Sequence, residues 1–302
     1  MNLLITGAWR HSNQQREQIA AMGHQVWFLK NEQDQLPLSY EDVEGVICNG
    51  LFLHHPIETF SSLKYIQLTS AGFDRVPMDY IREKGIEIHN ARGVYSIPMA
   101  EFAVCGVLQL YKQSRFFADN QANCRWEKHR GLLELAGKTV CVVGCGDVGA
   151  ECAKRFAAFG CRVVGVNIRP KRNDHFDTII LLENLDEILP QADIVVLAVP
   201  LAPETENLIN EERLRLMKPG AVLVNIARGA VVDTNRLICA LETHLGGAVL
   251  DVFDSEPLSA DSPLWNMENV IITPHNSFVG EGNSERLWNV IRENLTKAEM
   301  SE

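Results

Sequence analysis

The feature that most constrains this chain is a regular alternation of short apolar runs, rich in β-branched residues, with longer amphipathic stretches. The runs form two series, at 2–7, 25–29, 45–49 and 64–70, and at 138–144, 162–166, 193–199, 221–227, 247–253 and 270–273. Strands that alternate with helices predict parallel sheets with helices on both faces. Two series within 302 residues predict two α/β domains.

Two helical stretches connect and close the predicted domains. Residues 96–117 begin with a Ser that can cap a helix and carry a Pro in the first turn, which predicts one long linking helix. Residues 283–299 place Leu287, Ile291 and Leu295 at helical spacing. We therefore predict a terminal helix that returns to pack on the first domain.

Composition narrows the range of partners. A formal charge of −11 argues against nucleic-acid or anionic-membrane surfaces, because phosphate binding needs a concentrated positive field. The first apolar run is short and lacks basic residues, so it indicates a strand, and no run approaches a membrane span. The eight cysteines form no C-x-x-C pair, which predicts reduced thiols in a cytoplasmic protein. No His or Cys spacing predicts a metal site.

A glycine-rich turn follows the first strand of the second series. Gly144, Gly146 and Gly149 form G-x-G-x-x-G and open a helix with one apolar face. The first glycine permits the tight turn, the second lets a pyrophosphate approach the backbone, and the third allows close helix packing. We count Asp147 and Val148 with them as cofactor-binding residues. The alternative is an accidental glycine-rich turn.

The residue that ends the next strand bears on cofactor choice. A carboxylate there would bind the ribose hydroxyls and repel a 2′-phosphate, but the chain has Asn167. Three cations follow closely, Arg169, Lys171 and Arg172, and a guanidinium suits forked contact with phosphate. These residues predict preference for NADP(H), with NAD(H) possible. In the alternative, the basic loop is solvated and Asn167 binds the ribose of NAD(H).

Three later segments each place a reactive side chain just after a predicted strand, where parallel sheets bind ligands. Arg228 can bind a carboxylate through two hydrogen bonds and polarise a neighbouring carbonyl. Glu256 and His275 are a plausible acid/base pair, because a carboxylate bonded to imidazole favours the imidazolium. Each of the three residues also has an ordinary interpretation. Arg228 can be a surface cation, Glu256 a turn residue and His275 a histidine at a strand end.

Taken together, these motifs resemble the D-isomer-specific 2-hydroxyacid dehydrogenases. The resemblance rests on segments 144–149, 224–229, 251–257 and 273–275, and extends to 67–74, 100–102 and 200–205. It implies an α/β chain with two Rossmann-like or flavodoxin-like domains and an active site in the interdomain cleft. The implied substrate domain is discontinuous, 1–95 with 278–302, and residues 96–277 form the dinucleotide-binding domain. A homodimer built largely around the latter is also implied.

The resemblance assigns roles to individual residues. Arg228 would bind the 2-oxo acid, Glu256 would partner His275, and His275 would be the general acid in reduction and the base in oxidation. Backbone N–H groups that help to hold the substrate carboxylate match Ser70, Ala71 and Gly72. Asp251 matches a residue near the nicotinamide amide. The other implied cofactor contacts are Val199, Pro200, Thr205, Ile226, Ala227 and Ser277.

Two departures from the family pattern affect what can be expected. Asn167 replaces an acidic residue, as in NADP-using reductases, and the stretch 275–280 differs from the usual small, glycine-containing sequence after the histidine. We expect a cytoplasmic, homodimeric 2-oxo-acid reductase of the glyoxylate/hydroxypyruvate type that forms D-2-hydroxy acids. The alternative is a dinucleotide-sensing, corepressor-like interaction protein without significant turnover. Which 2-oxo acid is the substrate stays open, although few cations near the first-domain strand ends argue against a phosphorylated one.

Overall fold

Both predicted series of strands form parallel sheets in the computed structural model, which describes residues 1–170 and 172–299. The chain divides into two units, Met1–Tyr95 with the C-terminal segment from Gly280 (unit 1) and Ser96–Val279 (unit 2). Unit 2 ends at Val279, two residues beyond the boundary at 277 that the family resemblance implies. Val279 is tied to unit 2 because its N–H donates to the carbonyl of Asn276 at 3.1 Å.

Unit 1 contains a five-stranded parallel sheet in the order β2-β1-β3-β4-β5. This is the flavodoxin-like order 2-1-3-4-5. Its strands are β1 (Asn2–Thr6), β2 (Gln25–Leu29), β3 (Gly45–Cys48), β4 (Tyr65–Leu68) and β5 (Glu87–His89). Its first helices are α1 (Asn13–Ala21) and α2 (Met78–Lys84). The sequence predicted all of these strands except β5, a three-residue strand at the sheet edge.

Unit 2 contains a seven-stranded parallel sheet in the order β12-β11-β10-β9-β6-β7-β8. Read from β6, this is the Rossmann order with one further strand at the β12 edge. Its helices are α3 (Ser96–Tyr111), α4 (Ser114–Ala122), α5 (Asp147–Ala158), α6 (Leu185–Ile188), α7 (Glu211–Leu216) and α8 (Thr234–Thr243). Its strands are β6 (Thr139–Val143), β7 (Arg162–Asn167), β8 (Thr178–Leu181), β9 (Ile194–Leu197), β10 (Val222–Asn225), β11 (Gly247–Leu250) and β12 (Val270–Ile272). Only β8 escaped the sequence-based prediction.

The sheet of unit 2 is buried on both faces, which explains its continuous apolar runs. Val140 and Val142 of β6 pack in a core with α3 and α5, whereas Cys141 and Val143 pack in a second core with α6, α7 and α8. Alternate side chains of one strand thus reach opposite faces. Because both faces are covered, ligands bind at the ends of the strands. In parallel sheets they bind at the carboxyl ends and the loops that follow.

The single long helix expected over 96–117 is wrong, because the helix is interrupted. Helix α3 ends at Tyr111, and α4 begins at Ser114 after Gln113, which is left-handed with φ of 54°. The apolar face of α3 packs on the sheet as far as Tyr111, which is 3% exposed. In α4 only Asn120 is buried. The chain therefore turns where the contact with the sheet ends.

The terminal helix α9 (Asn283–Glu299) confirms the prediction that this segment packs on the first domain. Leu287, Ile291 and Leu295 pack in a core with residues of β1 and β3. The ring of Trp288 stacks on Trp9 with centroids 5.8 Å apart. The Asn294 amide donates to the buried Gln67 Oε1 at 2.8 Å, so α9 completes unit 1 through polar as well as apolar contacts.

Three further observations concern the described residues alone. Their helices include none with the length and apolar character that a bilayer crossing requires. No three His, Cys, Asp or Glu side chains among them are grouped as a metal ion would need. None of the eight cysteines is in a disulfide, and five are buried. Burial raises the pKa of Cys152 to about 12 and that of Cys161 to about 11, so these thiols stay protonated at neutral pH.

Candidate active site

The glycine-rich turn between β6 and α5 has the geometry of a phosphate site. Gly144 has φ of 101°, and a Cβ on it would lie 2.4 Å from the Ala198 carbonyl oxygen. A Cβ on Gly149 would lie 1.9 Å from the Gly144 oxygen, so α5 can approach the turn only through glycine. A Cβ on Gly146 would meet no described atom within 4 Å. The backbone is thus open to a ligand at Gly146, at the N-terminus of α5, which begins with Asp147 and Val148.

The end of β7 carries the residues expected to select the cofactor. Asn167 is half-buried, and its amide donates to the Arg169 carbonyl at 2.9 Å, which orders the start of the basic loop. Arg169 is exposed, and Arg172 forms a loose ion pair with Asp174 at 3.6 Å. Lys171 lies outside the described residues. The two described arginines therefore lie at the surface. They follow the carboxyl end of β7, next to the carboxyl end of β6, where the phosphate turn begins.

The ends of β9 and β10 place the remaining expected cofactor residues. Val199 lies against the phosphate turn, 3.0 Å from where a Cβ on Gly144 would sit. Thr205 is buried, and its hydroxyl donates to the Pro200 carbonyl at 2.7 Å. It also accepts from the Ala202 N–H at 2.8 Å, so its side chain closes the 200–205 turn. Ile226 and Ala227, after β10, are buried at 1% and 5% exposure.

Arg228 sits on a turn that a buried asparagine shapes. The Asn225 side chain accepts from the Ala227 N–H at 3.1 Å and donates to the Arg228 carbonyl at 2.9 Å. The next residue, Gly229, presses on the loop after β11: a Cβ on it would lie 1.9 Å from the Phe253 carbonyl carbon. The turn that carries Arg228 and the segment that leads to Glu256 are therefore in backbone contact. Sequence reasoning missed Asn225, whose signal is a polar residue at the end of an apolar strand.

Glu256 and His275 form the expected pair. The His275 Nδ1 lies 2.9 Å from Glu256 Oε2, and the two side chains are 42% and 38% exposed. The other carboxylate oxygen of Glu256 accepts from the Phe253 N–H at 3.1 Å, which fixes the carboxylate plane. Because Nδ1 is engaged by Glu256, Nε2 is the ring nitrogen that remains to exchange a proton with a ligand.

The segment that carries His275 is held by Asp251, a fully buried residue after β11. One carboxylate oxygen of Asp251 accepts from the Thr273 hydroxyl at 2.5 Å and the Asn276 N–H at 2.7 Å. The other accepts from the N–H of the buried Ser277 at 3.0 Å. The Asp251 carbonyl also accepts from the His275 N–H at 2.8 Å. Asp251 thus sets the backbone around His275, which has φ of 50°. This bracing was not anticipated from the sequence.

In unit 1, the loop after β4 is fixed through its carbonyl groups. The Ser70 carbonyl accepts from the Ala91 N–H at 2.8 Å, and the Ala71 carbonyl accepts from the Asn90 amide at 2.6 Å. The Gly72 carbonyl accepts from the Ser70 hydroxyl at 3.0 Å. Within the described part of the chain, neither the Ala71 nor the Gly72 N–H donates a hydrogen bond. These two donors are available to an anionic ligand.

Comparisons of the chain with family models, with curated proteins and with solved structures agree on one family. The model of the D-isomer specific 2-hydroxyacid dehydrogenase NAD-binding domain matches residues 104–277. The chain is 38% identical over 225 residues to the glyoxylate reductase of Thermofilum pendens, covering 71% of this chain and just under two thirds, 65%, of that protein. It is 34% identical over 269 residues to the glyoxylate reductase of Pyrococcus furiosus, covering 83% of this chain and 78% of that one.

A solved structure extends the likeness to the whole chain. The D-isomer specific 2-hydroxyacid dehydrogenase of Xanthobacter autotrophicus Py2, in complex with NADPH and MES, gives a TM-score of 0.81 at 30% identity. The match covers 100% of this chain and 95% of that one. The family model covers more than half of the chain. The glycine-rich turn at 144–149, Glu256 and His275 all lie within the matched residues. The chain therefore belongs to the D-isomer-specific 2-hydroxyacid dehydrogenases and is an oxidoreductase that depends on a nicotinamide dinucleotide.

Proposed function

We propose that this enzyme reduces a small 2-oxo acid to the D-2-hydroxy acid and uses NADP(H) in preference to NAD(H). The observation that carries the proposal is the His275–Glu256 pair at 2.9 Å, held on the same edge of the sheet as the phosphate turn. When bound, the nicotinamide supplies the hydride, and the protein supplies position, charge and a proton.

His275 is the proton donor in this proposal. Its Nδ1 is bonded to Glu256, so Nε2 donates to the carbonyl oxygen of the substrate as that oxygen gains negative charge. In the reverse direction the same nitrogen accepts the hydroxyl proton. Glu256 stabilises the imidazolium and fixes the plane of the ring, and it is itself fixed by the Phe253 N–H. Asp251 holds the backbone on which the ring is mounted.

Arg228 of unit 2 binds the substrate anion in this proposal. The guanidinium of Arg228 offers a planar set of donors that matches a carboxylate. The half-buried position of Arg228 strengthens this charge interaction relative to a fully solvated one. Taken by itself, unit 1 has a loop suited to an anion, because the Ala71 and Gly72 N–H groups are available as donors and Ser70 shapes the loop.

The cofactor preference rests on the end of β7. The open backbone at Gly146, at the N-terminus of α5, would hold the phosphates, and Val199 lies against the same turn. Asn167 places no negative charge where a carboxylate would repel the 2′-phosphate, and Arg169 and Arg172 are exposed nearby. A relative of the same fold was solved with NADPH, so the fold accommodates this cofactor.

Assembly and location complete the proposal. The exposed apolar side chains of unit 2 include a group in and beyond α4, namely Phe117, Trp126, Leu132 and Leu133. Trp126 is 96% exposed, and such a patch is typical of a protein interface. We propose that it contributes to a homodimer. The eight cysteines, which form no disulfide among the described residues, favour a cytoplasmic location.

The test compares consumption of NADPH and of NADH by the purified protein with glyoxylate, hydroxypyruvate and 2-oxoisocaproate. We expect turnover with at least one acid and a higher kcat/KM with NADPH. Higher kcat/KM with NADH would refute the cofactor preference and leave the reductase intact. Dinucleotide binding without turnover on a wide 2-oxo-acid panel, together with a co-purifying protein partner, would favour a dinucleotide sensor.

A further inference from the structure

The loop between β11 and Glu256 touches the segment that leads into α8 at two points. The first is the backbone contact at Gly229, where an added Cβ would lie 1.9 Å from the Phe253 carbonyl carbon and 2.2 Å from the Asp254 nitrogen. The second is at the start of α8, where the Thr234 hydroxyl donates to Asp254 Oδ2 at 2.8 Å. One contact would leave the loop free to pivot about it, and the second opposes that rotation.

Thr234 is itself fixed, because it is the first residue of α8. The preceding residue, Asp233, caps the helix through its side chain, which accepts from the Arg236 N–H at 3.1 Å. The Asp233 N–H donates to the Ile209 carbonyl at 3.1 Å. Leu237, which is 2% exposed, anchors the same helix in the core of unit 2. The hydroxyl of the half-buried Thr234 is therefore a fixed point from which the loop can be held.

The charge of Asp254 suits this position. A hydroxyl that donates to a carboxylate forms a charge-assisted hydrogen bond, which is stronger than one between neutral groups. The N-terminus of a helix carries a partial positive charge, and α8 has 10 residues. Two carboxylates share this helix end, and each has a donor of its own: Asp233 has the Arg236 N–H and Asp254 has the Thr234 hydroxyl. The bond can therefore hold the loop although the Asp254 side chain is exposed.

The loop passes this restraint on to Glu256. The Phe253 N–H donates to Glu256 Oε1 at 3.1 Å, and Glu256 Oε2 lies 2.9 Å from His275 Nδ1. The Phe253 side chain is half-buried and packs against the core of unit 2. A displacement of the loop at Asp254 would move its neighbour Phe253, whose N–H fixes the Glu256 carboxylate plane. The pairing of Glu256 with His275 would then be disturbed.

We propose that Thr234 and Asp254 are positioning residues, whose hydrogen bond holds the loop that aims the Glu256 carboxylate at His275. Neither residue touches the reacting atoms, and both act through Glu256. The inference rests on the proposed function, because a misplaced Glu256 affects turnover only if His275 transfers the proton. It goes beyond that function by extending the proton-transfer machinery to the N-terminus of α8.

The test uses Thr234→Val, which removes the hydroxyl and keeps the shape of the side chain. With NADPH and the best 2-oxo acid we expect kcat to fall about tenfold, less than the roughly 100-fold that a 1 Å misplacement costs. KM for the acid and Kd for NADPH should stay within about twofold of wild type, because the groups that bind them are unaltered. Thr234→Ser keeps the hydroxyl and should retain at least about half of the wild-type kcat.

A double-mutant cycle separates positioning from general damage. Asp254→Ala should give the same loss as Thr234→Val, and the two changes combined should give no more. In the Glu256→Ala background no carboxylate remains to be aimed, so Thr234→Val should lower kcat there by less than about twofold. Thr243→Val is the matched control, since the Thr243 hydroxyl lies at the other end of α8 and donates to the Cys239 carbonyl at 2.8 Å. It should leave kcat within about twofold of wild type.

The outcomes distinguish the two levels of the proposal. Equal losses in Thr234→Val and Thr234→Ser, a kcat of Thr234→Val within about twofold of wild type, or a tenfold loss that persists in the Glu256→Ala background would overturn the positioning role. Each of these results would leave the reductase assignment standing. Absence of turnover by wild-type enzyme with every 2-oxo acid tested would overturn the proposed function, and the positioning role with it.

Discussion

Replacing Gly229 by Ala tests whether contact between two loops positions the proposed catalytic residues. The glycine follows Arg228, and its Cα packs on the backbone that leads from β11 to Glu256. An added Cβ would lie 1.9 Å from the Phe253 carbonyl carbon, 2.2 Å from the Asp254 nitrogen and 2.3 Å from the Phe253 oxygen. All three are backbone atoms, so no side-chain rotation can relieve the overlap.

The size of the displacement follows from these distances. Non-bonded carbon atoms approach to about 3.5 Å, so the two loops must separate by roughly 1.6 Å at this point. A misplacement of about 1 Å costs a catalytic site on the order of 100-fold in rate. We therefore expect kcat/KM of Gly229→Ala to fall about 100-fold. Overpacking of this kind also destabilises the fold by about 1–3 kcal/mol, which should be visible in the free energy of unfolding.

Two assays separate catalytic misplacement from general damage. Steady-state reduction of the best 2-oxo acid reports kcat/KM, and quenching of protein fluorescence reports the Kd for NADPH, which should change less than about threefold because the phosphate turn lies elsewhere on the sheet. Gly131→Ala is the control, since its added Cβ would meet only the His129 ring. If Gly229→Ala retains more than about a third of wild-type kcat/KM, the reasoning about loop contact is refuted.

Four further predictions concern single side chains. His275→Ala should lower kcat by about 10²–10⁴-fold through loss of the proton donor, and Arg228→Ala should lower kcat/KM by about 10²–10³-fold through loss of carboxylate binding and charge stabilisation, both measured in the same reductase assay. Asn167→Asp should shift the ratio of kcat/KM for NADPH over NADH about tenfold toward NADH, through repulsion of the 2′-phosphate. Trp126→Ser should weaken dimerisation about tenfold or more, as measured by sedimentation equilibrium.

Each of these has a result that contradicts it. Near-normal turnover in both the His275 and Arg228 variants would remove the acid/base and anion-binding assignments. An unchanged cofactor ratio for Asn167→Asp would show that the loop arginines, or the ribose contact, set the preference. For Trp126, the matched control is Trp265→Ser, which removes another exposed indole of unit 2, 48% exposed. Equal effects of the two tryptophan variants would refute a specific interface.

The strands of both sheets were predictable where they are buried on both faces. In β9, β10 and β11 every residue is buried, and every residue except the last of β10, Asn225, is apolar or glycine. The candidate catalytic residues were predictable for a related reason, since polar side chains directly after such strands meet at the carboxyl edge of the sheet. The edge strand β5 was missed because its sequence, Glu-Ile-His, has a single apolar residue. The edge strand β8 does contain an apolar run, Ile179–Leu181, which the sequence-based prediction did not include and which is only half-buried.

Other features depend on contacts that sequence spacing does not reveal. The turn at Gln113 contains no glycine or proline, and it reflects the loss of sheet contact beyond Tyr111. The roles of Asn225 and Asp251 as braces depend on which backbone groups come within 2.7–3.1 Å of them in the folded chain. A buried polar residue at a strand end signals that such partners exist, but it does not identify them.

The contribution of α9 to unit 1 has a consequence for how the chain is made. Residues of β1 leave the ribosome early, but the side chains that bury Leu3 and Ile5, including Ile291 and Leu295, are synthesised almost 300 residues later. Unit 2 is formed by the contiguous residues 96–279 and can fold first. Until α9 is synthesised, the apolar side chains of β1 that pack on α9 stay exposed. During that interval the nascent chain exposes apolar surface of the kind that makes incompletely folded chains prone to aggregation, and a chain that lacked α9 would keep it exposed.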